Sequence, residues 1–150
     1  MLSVRFLLGL ALGLVLLGPA ISCGPALPAG TPLIHEFTFD GQATQNPLVL
    51  LFSLRFEDAD GDLGDGDLRP LVNGRPTDEQ PLAILDLMLV AGLAPDATGG
   101  TLSFELEVEL DLAPASRPAA GSTFTVGAEL TDGAGRESNR PSVTLRIDYP

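Results

Sequence analysis

Apolar and polar residues alternate along most of this chain. Leu102, Phe104, Leu106, Val108, Leu110 and Leu112 fall on one side of a two-residue period, and Ser103, Glu105, Glu107, Glu109 and Asp111 on the other. That period predicts a half-buried strand over 101–112. Its carboxylate row faces water, where it also discourages edge-to-edge pairing. The run from Leu48 to Phe56 carries a wholly apolar face of Leu48, Leu50, Phe52, Leu54 and Phe56, and predicts a buried strand. Shorter alternations predict strands over 34–39, 68–72, 123–131 and 143–149, with Asn73-Gly74 as a turn signal after 68–72. The apolar stretch 82–90 fits two readings. It can be a strand buried on both faces. It can also be a helix, because Thr77-Asp78-Glu79-Gln80 resembles a capping box, Leu, Ala and Met favour helix, and Gly92 would end it. Its length and the β context on both sides favour the strand. The pattern is all-β, with about seven antiparallel strands in one domain over 33–150.

The N-terminus follows a different rule. Arg5 precedes an apolar run from Phe6 to Leu17, which Gly18-Pro19 breaks. The run is shorter than the roughly 20 residues a bilayer span needs, and it has the layout of an export signal. It ends in Ala20-Ile21-Ser22-Cys23, which resembles the lipobox of bacterial lipoproteins, a small residue directly before a Cys. Members of that class usually carry Leu where this chain has Ala20. The resemblance implies that residues 1–22 are a lipoprotein signal peptide, and that Cys23 is lipidated and becomes the mature N-terminus. The alternative is an ordinary signal peptide cut after Ala20 or Ser22, with Cys23 a free thiol. Cys23 is the only Cys in the chain, and it falls at this one position. Several acyl chains anchor a protein stably where one does not. Residues 23–32, with Pro25, Pro28, Pro32, Gly24 and Gly30, then read as a tether without core residues.

The strongest chemical signal is the loop after the second strand, Glu57-Asp58-Ala59-Asp60-Gly61-Asp62-Leu63-Gly64-Asp65-Gly66-Asp67. So many like charges repel unless a cation sits among them. Ca²⁺ is the natural choice, since it takes six to eight oxygen ligands from flexible, Gly-turned loops. Asp58, Asp60 and Asp62 have the 1, 3, 5 spacing of an EF-hand. Leu63 stands where that motif needs Gly, and Arg69 where it needs Glu, so the loop is not an EF-hand. It is nearer the D-x-D-G-D loops of extracellular calcium-binding repeats, with Asp65, Asp67 and Asp132 as further ligands. An Asp/Gly-rich turn that uses its carboxylates for Asx-turns and caps is the alternative.

Near the C-terminus, Asp132-Gly133-Ala134-Gly135-Arg136-Glu137-Ser138-Asn139 precedes an alternating final strand. It resembles the D-x-A-G-x-x-S-N hairpin of bacterial immunoglobulin-like repeats. With the acidic loop, it is similar to a group of Ig-like surface lipoproteins that have no established enzymatic activity. The resemblance implies an immunoglobulin-like β-sandwich without the Cys pair and Trp of antibody domains. In such a sandwich the acidic loop, the 132–141 loop and the start of the first strand share one end. Asp132 or Asn139 would then complete the cation site across the gap.

Composition narrows the function. The formal net charge is −12, and Arg supplies every basic side chain. Loss of residues 1–22 removes Arg5 and no acid, so −12 becomes −13. Such a surface argues against nucleic acid as a partner. The chain has a single His, His35, no Trp, and no Gly-x-Ser-x-Gly elbow, so a nucleophile with its base is not expected. At 5% aromatic it lacks the stacking platforms of a glycosidase cleft. The expectation is a non-enzymatic, lipid-anchored module of the bacterial cell envelope. Its partners are the membrane, through Cys23, and an envelope protein. A carbohydrate-binding module on the same fold is the alternative.

Overall fold

The computed structural model describes residues 28–46, 48–77, 80–107 and 121–146. The predicted signal peptide, Cys23 and the first part of the predicted tether lie outside the described residues, as do the predicted strand ends at 108–112 and 147–149. The described residues form an all-β fold of two antiparallel sheets with one short helix. It is open, not a closed barrel. The strands are β1 (Leu33–Gln42), β2 (Val49–Glu57), β3 (Asp67–Val72), β4 (Arg75–Pro76), β5 (Leu82–Ala83), β6 (Gly99–Glu107), β7 (Thr123–Thr131) and β8 (Ser142–Arg146). One sheet has the order β1-β2-β6. The other has the order β4-β3-β7-β8, with β5 also paired to β3.

The period-two pattern becomes burial directly. Leu50, Phe52, Leu54 and Phe56 of β2 and Leu102, Phe104 and Leu106 of β6 are buried, while Arg55, Glu57, Ser103 and Glu105 are exposed. They share one core with Leu68 and Val72 of β3 and with Phe124, Val126, Ala128 and Leu130 of β7. Strand β1 is longer than its pattern, because register shifts at His35 and Asp40 let it keep pairing with β2 from Leu33 to Gln42.

The stretch 82–90 corrects the strand expectation. Only Leu82 and Ala83 pair as strand, opposite Leu68 and Asp67. Residues Ile84–Val90 form helix α1. The free edge of β3 is the reason. β4 already occupies Leu71 and Val72. Pro70 has no N–H, and its carbonyl accepts from Thr77 N–H at 3.2 Å. Little ladder remains, so the chain satisfies its backbone internally. Ile84 and Met88, one helical turn apart, are fully buried, whereas a strand would also have buried Asp86. The helix ends on Gly92 at φ +72°. There Leu93 N–H donates to the Met88 carbonyl at 2.8 Å and Gly92 N–H to that of Leu89 at 3.1 Å, the Schellman arrangement. The expected capping box is not its start, since Ala83 precedes the first turn and no side chain caps it.

Candidate functional site

Two loops meet at one end of the sandwich. Residues 58–66 leave β2 there, and residues 132–141 leave β7 there. The approach is close, since any Cβ at Gly66 would overlap the Thr131 carbonyl. Gly133 N–H donates to the Asp62 carbonyl at 3.1 Å and ties one loop to the other.

The group that joins them is Arg136. Its Nε donates to Asp132 Oδ2 at 2.7 Å. Its Nη2 donates to Asp60 Oδ2 at 2.5 Å and to both oxygens of Asp62, at 3.2 and 3.1 Å. Nη1 donates to the Ala29 carbonyl at 3.1 Å. The positive charge among Asp60, Asp62 and Asp132 is therefore a side chain of the protein itself. Ala29, just before β1, is held at the same end.

The remaining motif residues of the second loop build its shape. Asp132 is wholly buried, and its Oδ1 accepts from Ala134 N–H at 3.0 Å and Arg136 N–H at 2.8 Å. Ser138 Oγ accepts from Leu130 N–H at 2.9 Å. Asn139 brackets Ile34, taking its N–H at 2.7 Å and donating to its carbonyl at 2.9 Å. Asn139 is thus committed to the start of β1, and the expectation that it completes a cation site is corrected. Below the loop, Arg140 pairs with the buried Glu129 and, at 3.1 Å, with Glu137.

Among the described residues, one group of carboxylates comes together, Asp58, Asp60 and Asp62, with oxygens within 4.8 Å of one another. It could hold a metal ion. Asp65 and Asp67 are exposed, on a 3-10 turn (Leu63–Asp65) and at the start of β3, and they stand outside the group. Asp132 also stands outside it, on the far side of the guanidinium. Asp58 is the unusual member. It is 1% exposed. Its Oδ2 accepts from Leu63 N–H at 3.0 Å, and its Oδ1 is buried without a hydrogen-bond partner. A buried carboxylate oxygen left unpaired is costly. An all-oxygen donor set with one such oxygen has the chemistry a hard cation takes.

Protonation follows this geometry. Burial, and then the neighbouring Asp60 carboxylate, raise the Asp58 carboxyl above its usual 3.8. Hydrogen bonding to Arg136 holds Asp60 below the same value, and the Arg136 guanidinium is raised in return, chiefly by Asp60. The two carboxylates act on stability in opposite senses. The lowered value of Asp60 stabilises the fold above about pH 4 and is lost as pH falls through the folded value. The raised value of Asp58 favours the fold only at low pH, so keeping Asp58 ionised at neutral pH costs stability.

Sequence reasoning passed over Arg136 as a site residue. No local signal set it apart: Arg136 shares the 132–141 loop with Arg140, and only the antiparallel topology places it beside the acidic loop.

No family model and no curated protein matches the chain. Among solved structures it is similar to the crystal structure of the Clostridium perfringens spore cortex lytic enzyme SleM, at a TM-score of 0.35 and 12% identity, over 77% of this chain. The match spans 28% of that enzyme's length.

Proposed function

We propose that this protein is a non-enzymatic, lipid-anchored module of the bacterial cell envelope, an immunoglobulin-like domain carried on Cys23. Its tether-side end would hold a divalent cation, Ca²⁺, on Asp58, Asp60 and Asp62. The observation that carries the reading is the bond from Arg136 to the Ala29 carbonyl, which gathers tether, acidic loop and 132–141 loop at one end. The sheet order supports the Ig-like part. With β1, β2 and β6 read as strands A, B and E, and β4, β3, β7 and β8 as C′, C, F and G, the order of the two sheets is compatible with that topology. The anchor supplies location, and the sandwich supplies a rigid body for an envelope partner.

Cys23→Ala tests the anchor. The expected result is a precursor that takes up no radiolabelled palmitate and leaves the membrane fraction. A variant that matures to wild-type size and still sediments with membranes would refute the lipoprotein reading.

Thermal melts test the cation. Sites in extracellular modules bind at about 10⁻⁴–10⁻³ M. At ten times Kd, Ca²⁺ stabilises by about 1.4 kcal/mol, a rise of about 4–6 °C in Tm. Asp58→Asn keeps an oxygen for Leu63 N–H and turns an amide toward Asp60. It is expected to melt above wild type in EGTA, because it removes the ionised buried carboxylate, and to lose the Ca²⁺ response. Identical wild-type curves in EGTA and ~10 mM Ca²⁺ would exclude the cation.

A further inference from the structure

Helix α1 turns an apolar face outward. Ile84 and Met88 point into the core, while Leu85, Leu89 and Val90 are 38%, 60% and 89% exposed. These three are the exposed large hydrophobic side chains among the described residues. Leu85 and Leu89 stack one turn apart, and Asp86 is the one charge on that side.

The position of α1 says what covers the face. Ile84 N–H donates to the Gly66 carbonyl at 3.1 Å, so the helix starts beside the acidic loop. The segment after it returns under the same loop, where Asp58 N–H donates to the Thr98 carbonyl at 2.9 Å. Helix α1 therefore belongs to the end at which Arg136 holds Ala29. From Cys23 to Pro28 the chain advances five residues, a reach of at most about 18 Å. A lipid on Cys23 brings this end, and no other, to the bilayer.

We propose that Leu85, Leu89 and Val90 dock into the interfacial layer of the membrane that anchors the tether. The setting rests on the lipid-anchor reading above. Apolar side chains are favourable at the boundary between headgroups and acyl chains. Three of them would not hold a free domain there, but a short tether raises their effective concentration to the millimolar range. The acidic surface repels anionic headgroups within a Debye length of about 8 Å, so the matching surface is zwitterionic.

The chain has no Trp and one Cys, which makes the test direct. Mature chains from Cys23, carrying Val90→Trp or Arg75→Trp, are coupled through Cys23 to maleimide lipid in phosphatidylcholine vesicles. Arg75 lies at the opposite end of β3, in the β4 hairpin. Chemical coupling does not depend on lipidation in cells, so the vesicle result stands apart from the Cys23→Ala result. Tethered Val90→Trp is expected to show blue-shifted emission and quenching by bromolipid, and Arg75→Trp neither. Adding Leu85→Ser and Leu89→Ser should leave the melting curve unchanged and weaken the docked state on the order of tenfold, abolishing the quenching. Val90→Trp that stays unquenched and open to iodide would overturn the proposal. So would a blue shift already present in solution with a doubled mass, which would assign the face to a second copy of the chain.

Discussion

Asp132→Ala is expected to destabilise the domain by about 3 kcal/mol, because one buried carboxylate organises the whole 132–141 loop. The substitution removes acceptors for Ala134 N–H, Arg136 N–H and Arg136 Nε, at 3.0, 2.8 and 2.7 Å. It also frees the guanidinium from the carboxylate that positions it against Asp60 and Asp62. The loss would then spread to the 58–66 loop and to the tether contact at Ala29. Asp132→Asn separates the two parts. Its Oδ1 still serves both backbone donors, but its amide would face Arg136 Nε, donor against donor. Urea unfolding should place Asp132→Asn between wild type and Asp132→Ala. An alanine variant within about 1 kcal/mol of wild type would show that the loop holds its shape without this carboxylate.

Phe52→Ala should cost about 4 kcal/mol and lower Tm by roughly 15 °C. Phe52 is fully buried on the central strand of the β1-β2-β6 sheet. Its ring stacks on Phe37 at 5.5 Å and on Phe104 at 5.4 Å, and meets Phe39 at 5.5 Å with a 49° tilt. Truncation removes the middle of this aromatic row. The rings of Phe37 and Phe39 on β1 and of Phe104 on β6 would each have to move to fill the space, and the sheet ladder on both sides holds their backbones in place. Phe52→Leu keeps most of the volume and should cost less than half as much. Equal melting points for Phe52→Ala and wild type would mean that this face of the sheet does not carry the core.

The acidic site was half legible. The spacing of Asp58, Asp60 and Asp62 on alternate positions after a strand was enough to group them, because a tight Gly-turned loop has few other ways to fold. Distances of several residues were not readable in that way. Asp65 and Asp67 belong to the same run of sequence, yet a 3-10 turn and the start of β3 take them out of the group. Nor was it visible that the needed positive charge came from within the chain. Arg136 lies 76 residues from Asp60.

What the sequence determined by itself is what depends on near neighbours. Period-two alternation places Leu50, Phe52, Leu54 and Phe56 on one face whatever lies opposite, since successive side chains of any strand point to opposite sides. The all-β class, most strand positions and the Asn73-Gly74 turn follow from such local rules. The tertiary structure decided the elements whose backbone had to find partners elsewhere. The stretch 82–90 carries enough apolar residues for strand or helix. It became a helix because β4 and Pro70 had used the β3 edge it needed. In the same way Asn139 reads as part of a hairpin signature, while its bracketing of Ile34, 105 residues away, exists only once β1 is brought to that end. A pairing between distant segments is set by competition for shared hydrogen-bonding edges and shared charges, and no window of adjacent residues contains both competitors.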